Sequence, residues 1–277
     1  MVKITVLLTT YNRKDKTISC LQSLKLQTIN TSVKLDVYVT DDASTDDTPA
    51  VIKMIYPEAN IFIGSGTLFW AGGMRKSWGE ALKSNYDYYF LLNDDTSLMP
   101  NALEVLLAYY KDNPIGIVVG STAEEGRISY GGQKITSKLH FKREIVFSES
   151  VFLNCDLGNA NIMLVPGQVV AKIGILSEKF THGIADYDYT LTALKAGFKV
   201  MVAPGVLGIC SDDHGNNWKS ANTTLKDRIK YLKSPKGLAY NEYLYLIRKH
   251  LPEHYPLAFI KLWAKTLFPF LWDKFKK

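Results

Sequence analysis

Apolar positions along this 277-residue chain fall into two alternating patterns. Short runs dense in β-branched and aromatic residues predict strands buried on both faces: KITVLLT (residues 3–9), LDVYVT (35–40), NIFIG (60–64), YYFLL (88–92) and IGIVVG (115–120). Between them, Ile18, Leu21 and Leu24 recur at helical spacing. Segments 45–55, 74–83 and 101–110 predict further helices, the first with Thr45 or Asp46 as its N-cap. This alternation predicts an α/β fold, a Rossmann-like, mainly parallel sheet with helices on both faces. The pattern then changes. RISYGG (127–132) and LHFKREIVF (139–147) predict an antiparallel excursion, and NANIMLVP (159–166) a return to the core. Helices over 167–173 and 187–196 follow, the second closed by Gly197, and then a late strand at 198–205.

Polar clusters sit where the predicted strands end. Thr10, Tyr11 and Asn12 follow the first strand, Asp41 and Asp42 the second, and Asn93, Asp94 and Asp95 the fourth. One such cluster is an ordinary turn or helix cap. Three on one edge predict a shared polar site, because open parallel sheets bind ligands beyond the carboxyl ends of their strands. Asp94 and Asp95 stand out. Adjacent carboxylates repel unless water, a cation or helix N–H groups take up the charge, and these two lie too far ahead of Pro100 to cap the next helix.

Composition narrows the classes. Hydrophobic residues make up 47% and charged residues 22%, which suits a globular protein with a sizeable core. Three cysteines with no C-x-x-C pair argue for a reducing compartment, against disulfides and against a zinc site. The apolar run at the N-terminus is short for a signal peptide, and no stretch approaches the roughly 18 apolar residues of a membrane span. The expected location is therefore cytoplasmic. The net charge of +6 is uneven: residues 226–277 hold 12 Lys and Arg against 4 Asp and Glu, a net of +8, so the preceding residues carry −2.

Five stretches carry a resemblance: TTYNR (9–13), VTDDASTDDT (39–48), AGGMRKSWGEAL (71–82), LLNDDT (91–96) and ADYDYTLTALKAGF (185–198). In order and spacing they resemble the family 2 glycosyltransferases with the GT-A fold. The FWAGG stretch (69–73) is similar to bacterial enzymes of surface-polysaccharide synthesis, rhamnosyltransferases among them. The resemblance implies a metal-dependent, inverting transfer of a sugar from a UDP- or dTDP-sugar donor to a glycan or lipid-linked acceptor. It aligns the family's DXD motif with Asn93-Asp94-Asp95: Asp95 as ligand to Mg²⁺ or Mn²⁺, Asp94 near the ribose or donor sugar. A hard dication that neutralises a departing diphosphate takes oxygen ligands. Asp41 matches the position that bonds a pyrimidine N3–H, with Asp42, Thr9, Tyr11 and Asn12 lining the same pocket. Tyr11 serves equally as a packing aromatic. Trp70 lines the donor pocket or simply packs, and Arg75 reaches phosphate or sugar, although relatives often carry Asn there.

A transferase also needs a base for the acceptor hydroxyl. Asp186 matches the second residue of the family's ED motif, with Ala185 in place of Glu. Asp188 is a helper or a helix cap. His182 touches the acceptor or is structural, and His214, in SDDHGNN (211–217), completes the cation site.

These expectations divide the chain into a catalytic unit over residues 1–217 and a basic, aromatic, helical extension over 218–277. In the extension Leu257, Ile260, Trp263, Ala264, Leu267, Phe268 and Leu271 form an apolar stripe, with Lys261 and Lys265 off it. Such a helix suits the interface of an anionic bilayer, here the inner face of the cytoplasmic membrane, or packs on its own catalytic unit or in a homodimer. Three other classes compete. A sugar-nucleotide synthase needs a glycine-rich loop after the first strand, and TTYNRKD has no glycine. A polyanion-binding module has only the basic tail in its favour and no nucleic-acid-binding signature, so nucleic acid is not an expected partner. A transferase-like protein without turnover is consistent with Asn93 and Ala185, but not with the retention of Asp95, Asp186 and His214.

Overall fold

The computed structural model describes residues 1–29, 32–112, 115–211 and 223–270. The chain opens with β1 (Val2–Thr10), α1 (Lys14–Lys25), β2 (Val33–Asp41), α2 (Thr48–Ile55), β3 (Asn60–Ile63), α3 (Phe69–Ala81) and β4 (Tyr88–Leu92). A short β5 (Ser97–Leu98) and α4 (Ala102–Ala108) lead to β6 (Gly116–Glu124) and β7 (Arg127–Tyr130). β8 (Gly132–Ser137), β9 (Lys142–Val146), β10 (Leu153–Asn154) and β11 (Leu157–Gly158) form the excursion, and β12 (Ile162–Pro166) returns to the core. α5 (Gly167–Ile173), α6 (Ala185–Lys195), β13 (Lys199–Ile209), α7 (Leu225–Lys233), α8 (Tyr240–His250) and α9 (Tyr255–Leu267) complete the described elements.

Ten strands form the main sheet in the order β10-β13-β6-β12-β4-β1-β2-β3, with β5 paired to β13 and β7 to β6. β3, β2, β1 and β4 run parallel, as do β6 and β13. β12 runs antiparallel between β4 and β6. A small separate sheet, β11-β8-β9, is the antiparallel excursion. The expected mainly parallel α/β architecture is what forms.

Strand periodicity divides the core. In β1, Ile4, Val6 and Leu8 face α1, α2 and α4, while Leu7 faces α3, α5 and α6. Phe90 and Leu92 oppose Tyr89 and Leu91, and Ile162 and Leu164 oppose Met163 and Val165, in the same way. With both faces buried, the strands read in sequence as continuous apolar runs.

Two helices begin earlier than their periodicity predicts. α3 starts at Phe69 and runs through Gly72 and Gly73, which alone disfavour helix. A Cβ at Gly73 would strike the Thr9 side chain, so the glycine lets the helix backbone lie against the end of β1. α6 starts at Ala185, two residues ahead of expectation, after Ile184 at φ 58°. A β-branched residue in the left-handed region is an outlier that its surroundings must enforce. At α2, Asp46 rather than the positional cap Asp47 does the capping. Its Oδ1 accepts from the Thr48 amide at 3.3 Å and from the Thr48 hydroxyl, and its Oδ2 from the Lys14 amide at 3.0 Å.

The C-terminal helices share the core of the sheet. Leu244, Leu246 and Ile247 of α8 and Ala258 and Leu262 of α9 join the cluster that holds α3 and α6. The inner face of α9 is Ala258, Leu262 and Thr266, one step round from the expected stripe. Of that stripe Ile260, Leu267 and Phe268 are exposed, while Leu257, Trp263 and Ala264 are half-buried. Leu271 lies outside the described residues.

Candidate active site

The strand order fixes where a ligand can sit. The chain leaves β1 for β2 and β3 on one side, then returns to β4 on the other, so β1 and β4 bound a topological switch point. Loops 11–13 and 93–96 flank it. Because β12 is antiparallel, its beginning lies at the same edge, where the Asn93 amide donates to the Asn161 carbonyl at 3.2 Å.

Asp41, at the end of β2, is 1% exposed. Its Oδ2 accepts from the Ser44 amide at 2.9 Å, while its buried Oδ1 has no partner. Asn12 ties this loop to β1: its amide donates to Ser44 Oγ at 2.8 Å and its Oδ1 accepts from the Thr45 amide at 2.7 Å. Thr9 is buried under Gly73, and Tyr11 is exposed. Asp42 has a structural job: its oxygens accept from the amides of Gly66 (2.8 Å), Leu68 (2.8 Å) and Phe69 (3.1 Å), so it fastens the entry to α3.

The acid pair has a partner that sequence reasoning missed. Arg13 Nη1 lies 2.6 Å from Asp95 Oδ2 and 3.3 Å from Asp94 Oδ1. Charge balance was the available signal: a cation three residues beyond the end of β1 faces two anions beyond the end of β4. Asp94 is buried, which pushes its carboxyl up to about 6 against the opposing pull of Arg13. Its Oδ2 is buried without a partner. Asn93 Oδ1 accepts from Trp70 Nε1 at 2.7 Å, so Trp70 anchors this loop. Cys210 Sγ contacts Asp95 Oδ1 at 3.6 Å.

An all-oxygen pair with one orphaned carboxylate oxygen suits a hard dication that takes its other ligands from phosphate and water. Among the described residues no three His, Cys, Asp or Glu side chains converge as a ligand set. His214 lies outside the described residues.

Asp186 sits in the first turn of α6, beside the start of β12. Its Oδ1 accepts from the Tyr187 amide at 2.8 Å, its Oδ2 from the Ala160 amide at 3.2 Å and from Asn159 Nδ2 at 3.5 Å. Burial outweighs these donors and raises its carboxyl to about 6. Segment 177–184, which precedes it, is held from both sides. Arg75 Nη1 donates to the carbonyls of Ser177 (2.9 Å) and Phe180 (2.7 Å), the Ala71 amide donates to the Thr181 carbonyl (3.1 Å), and the Thr181 amide donates to Glu242 Oε2 of α8 (3.0 Å). Arg75 thus braces this segment through Nη1. His182 Nδ1 accepts from the Trp70 amide at 3.4 Å, and its ring lies beside Phe69.

Asp188 turns its carboxylate to α8 rather than capping α6: its Oδ1 accepts from Lys249 Nζ and His250 Nε2, each at 2.8 Å, so it bolts α6 to α8. Burial pushes its carboxyl up, the hydrogen bonds from His250 and Lys249 pull it down further, and it ends below the ordinary carboxylate range.

Known proteins bear on this geometry. A curated "Uncharacterized glycosyltransferase" of Haemophilus influenzae is 24% identical over 192 residues, 69% of this chain, and the chain spans 62% of that protein's length. Two solved structures share the fold. The mannosyltransferase PcManGT from Pyrobaculum calidifontis, in complex with GDP-Man and Mn²⁺, matches with a TM-score of 0.59 at 15% identity, covering 95% of this chain and 69% of its own. S. aureus TarS 1–349, in complex with UDP, matches at 0.60 and 13%, covering 96% and 88%. At such identities the likeness is one of architecture, and it gives the expected GT-A arrangement. The sequence relation is carried by the family model "Glycosyl transferase family 2", which matches residues 5–156, more than half of the chain. On that match the chain belongs to glycosyl transferase family 2.

Proposed function

We propose that this chain is a metal-dependent, inverting glycosyltransferase that moves a hexosyl unit from a UDP- or dTDP-sugar to a glycan or lipid-linked acceptor in surface-polysaccharide synthesis. One observation carries the reading: an acid pair at the β1/β4 switch point, Asp94 buried and Asp95 partly so, shares its sheet edge with the separately buried Asp186, whose carboxyl burial raises to about 6. Asp94 and Asp95 would hold a Mg²⁺ or Mn²⁺ ion, whose chemistry is to offset the charge of the departing diphosphate. The free oxygen of Asp41 is an acceptor suited to the N3–H of uracil or thymine, and Trp70 walls the donor side through its bond to Asn93. Asp186 takes the acceptor proton, and attack on the face opposite the leaving group inverts the anomeric centre. Residues 1–217 carry this chemistry, and α8 and α9 of the 218–277 extension brace it.

The test is release of nucleoside diphosphate from UDP- and dTDP-sugars. Turnover is expected with Mn²⁺ and not in a chelator, and Asp95→Ala should lose it while staying folded. Equal turnover in the chelator contradicts the reading. The pH dependence has a definite sign. Asp186 acts unprotonated, so kcat/KM should rise as pH rises through about 6 and then level. A flat profile between pH 5 and 8 (a range taken as roughly two units about that midpoint) removes Asp186 from the role.

The membrane reading rests on α9. Among the described residues no helix is long and apolar enough to cross a membrane. Yet Phe259, Ile260, Leu267, Phe268 and Phe270 are exposed on a segment of net charge +8, which suits an anionic bilayer surface. Since the inner face of α9 belongs to the core, point changes test this better than truncation. Ile260→Glu with Phe268→Glu should abolish cosedimentation with anionic vesicles at low salt and leave the melting temperature in place. Unaltered cosedimentation rejects the membrane surface, and a homodimer through the same patch would appear instead as a change in sedimentation coefficient.

A further inference from the structure

We propose that Arg13 is a built-in counter-cation for Asp94 and Asp95, which a divalent cation must displace, so that the protein takes up the cation and the diphosphate as a coupled pair and neither well alone. This rests on the reading of the acid pair as the cation site.

The physical case begins with burial. Asp94 is 6% exposed, and the Asp95 side chain is nearly as enclosed. Two adjacent carboxylates there repel each other, and Arg13 offsets their charge with one guanidinium nitrogen bridging both. An arriving dication would stand a few ångströms from that guanidinium, and like charges at such range inside a protein repel strongly. Both therefore do not occupy the pair together. Arg13 is built to leave. Its side chain is 44% exposed, while the backbone on either side is pinned: the Asn12 amide to Ser44 Oγ, and the Lys14 amide to Asp46 Oδ2. The exchange is thus a side-chain rotation that leaves the loop intact.

Where the guanidinium goes decides the coupling. Without nucleotide, displaced Arg13 returns to water, and the cation must outcompete it unaided. A diphosphate brings new anionic oxygens to the same edge, and a guanidinium prefers such oxygens, often two at once. Nucleotide thereby removes the competitor. By reciprocity, the factor by which nucleotide strengthens cation binding equals that by which the cation strengthens nucleotide binding.

Isothermal titration of Mn²⁺ into the full chain, with and without the nucleoside diphosphate that binds best, tests this. Arg13→Gln removes the charge at similar size, and Arg13→Lys keeps it. Without nucleotide, Arg13→Gln should bind Mn²⁺ about tenfold tighter than the parent, the lower part of the range for coupled sites. The gain that nucleotide gives to Mn²⁺ affinity, large in the parent, should shrink towards unity in Arg13→Gln and persist in Arg13→Lys. Equal Mn²⁺ affinity in the parent and Arg13→Gln, or weaker binding in Arg13→Gln, overturns the proposal. That result alongside nucleotide-dependent Mn²⁺ uptake by the parent sinks the Arg13 inference alone. Failure of both proteins to bind Mn²⁺ even with nucleotide sinks the cation site and the inference with it. Matching far-UV circular dichroism of the three proteins checks that each is folded.

Discussion

If Asp186 is the base proposed above, replacing it with Asn is expected to lower kcat by about 10²–10⁴-fold and leave donor affinity within a small factor of the parent's, because a positioned base acts only as the acceptor proton moves. The alternative is structural, and the geometry makes it a serious one. Both oxygens of Asp186 receive backbone amides, from Tyr187 and Ala160, and an Asn there would turn its own NH₂ against one of them. Leaving a buried donor unpaired costs about 1–3 kcal/mol. Asp186→Asn should therefore melt somewhat earlier as well as turn over slowly. Two readouts separate the causes. With Mn²⁺ saturating, which would hold Asp94 ionised, a base predicts that the residual rate loses its acid limb near pH 6, and that nucleotide still raises the melting temperature. A purely structural role predicts that the limb stays and that donor binding falls with stability.

Cutting the bolt between α6 and α8 should cost nearly as much in another quantity. Asp188→Ala is expected to lower unfolding stability by about 3 kcal/mol, the low end for breaking a buried ion pair, since Lys249 keeps partial access to water. For a chain of this size that is roughly 6–12 °C in melting temperature. His250 sharpens the prediction. Its side chain is 1% exposed, its Nε2 meets Asp188, and its Nδ1 is buried without a partner. Burial lowers its pKa below the ordinary value, and Asp188 only partly opposes this. The unfolded chain thus takes up a proton below pH ~6.5 that the folded one resists, and stability should fall as pH drops from there. Asp188 has the same sign: with its folded pKa depressed, its contribution is present above ~3.9 and lost as pH falls through the folded value. Urea denaturation at pH 7.5 reads the Asp188→Ala loss, and the drop from pH 7.5 to 5.5 reads His250; the Asp188 step lies below that range. A loss under about 1 kcal/mol at pH 7.5, the scale of a surface pair, would show that the bolt carries little.

These cases also mark what the sequence could reveal. Strand runs such as YYFLL were legible because burial on both faces leaves no polar position to interrupt them, and β4 begins and ends where the run does. The start of α3 was not. Its glycines argue against helix locally, and only the approach to Thr9 explains them. The site was legible as three polar strand ends, since the sheet alone brings these together. What escaped were partners far apart in sequence. Arg13 meets Asp94 and Asp95 across 80 residues, Arg75 turns to carbonyls near 180, and Asp188 finds α8 some 60 residues on. The resemblance suggested a phosphate or sugar contact for Arg75, and helix position a cap for Asp188. Tertiary packing sets Arg75 against two carbonyls and Asp188 against Lys249 and His250, none of them near in sequence. The stripe on α9 was misjudged by one step for a similar reason: its small inner residues, Ala258 and Thr266, face the core because α8 approaches closely, while larger apolar side chains remain outside.

The central claim is that the β1/β4 edge binds a nucleoside diphosphate together with a divalent cation. Thermal unfolding of the full chain with UDP, dTDP, GDP and ADP, each with Mn²⁺ and with a chelator, tests it most directly. A ligand at a hundred times its Kd stabilises by about 2.7 kcal/mol, a shift of several degrees. The expected result is such a shift for UDP or dTDP with Mn²⁺, lost in the chelator and in Asp95→Ala. No shift with any nucleotide, or an equal shift in the chelator, contradicts it.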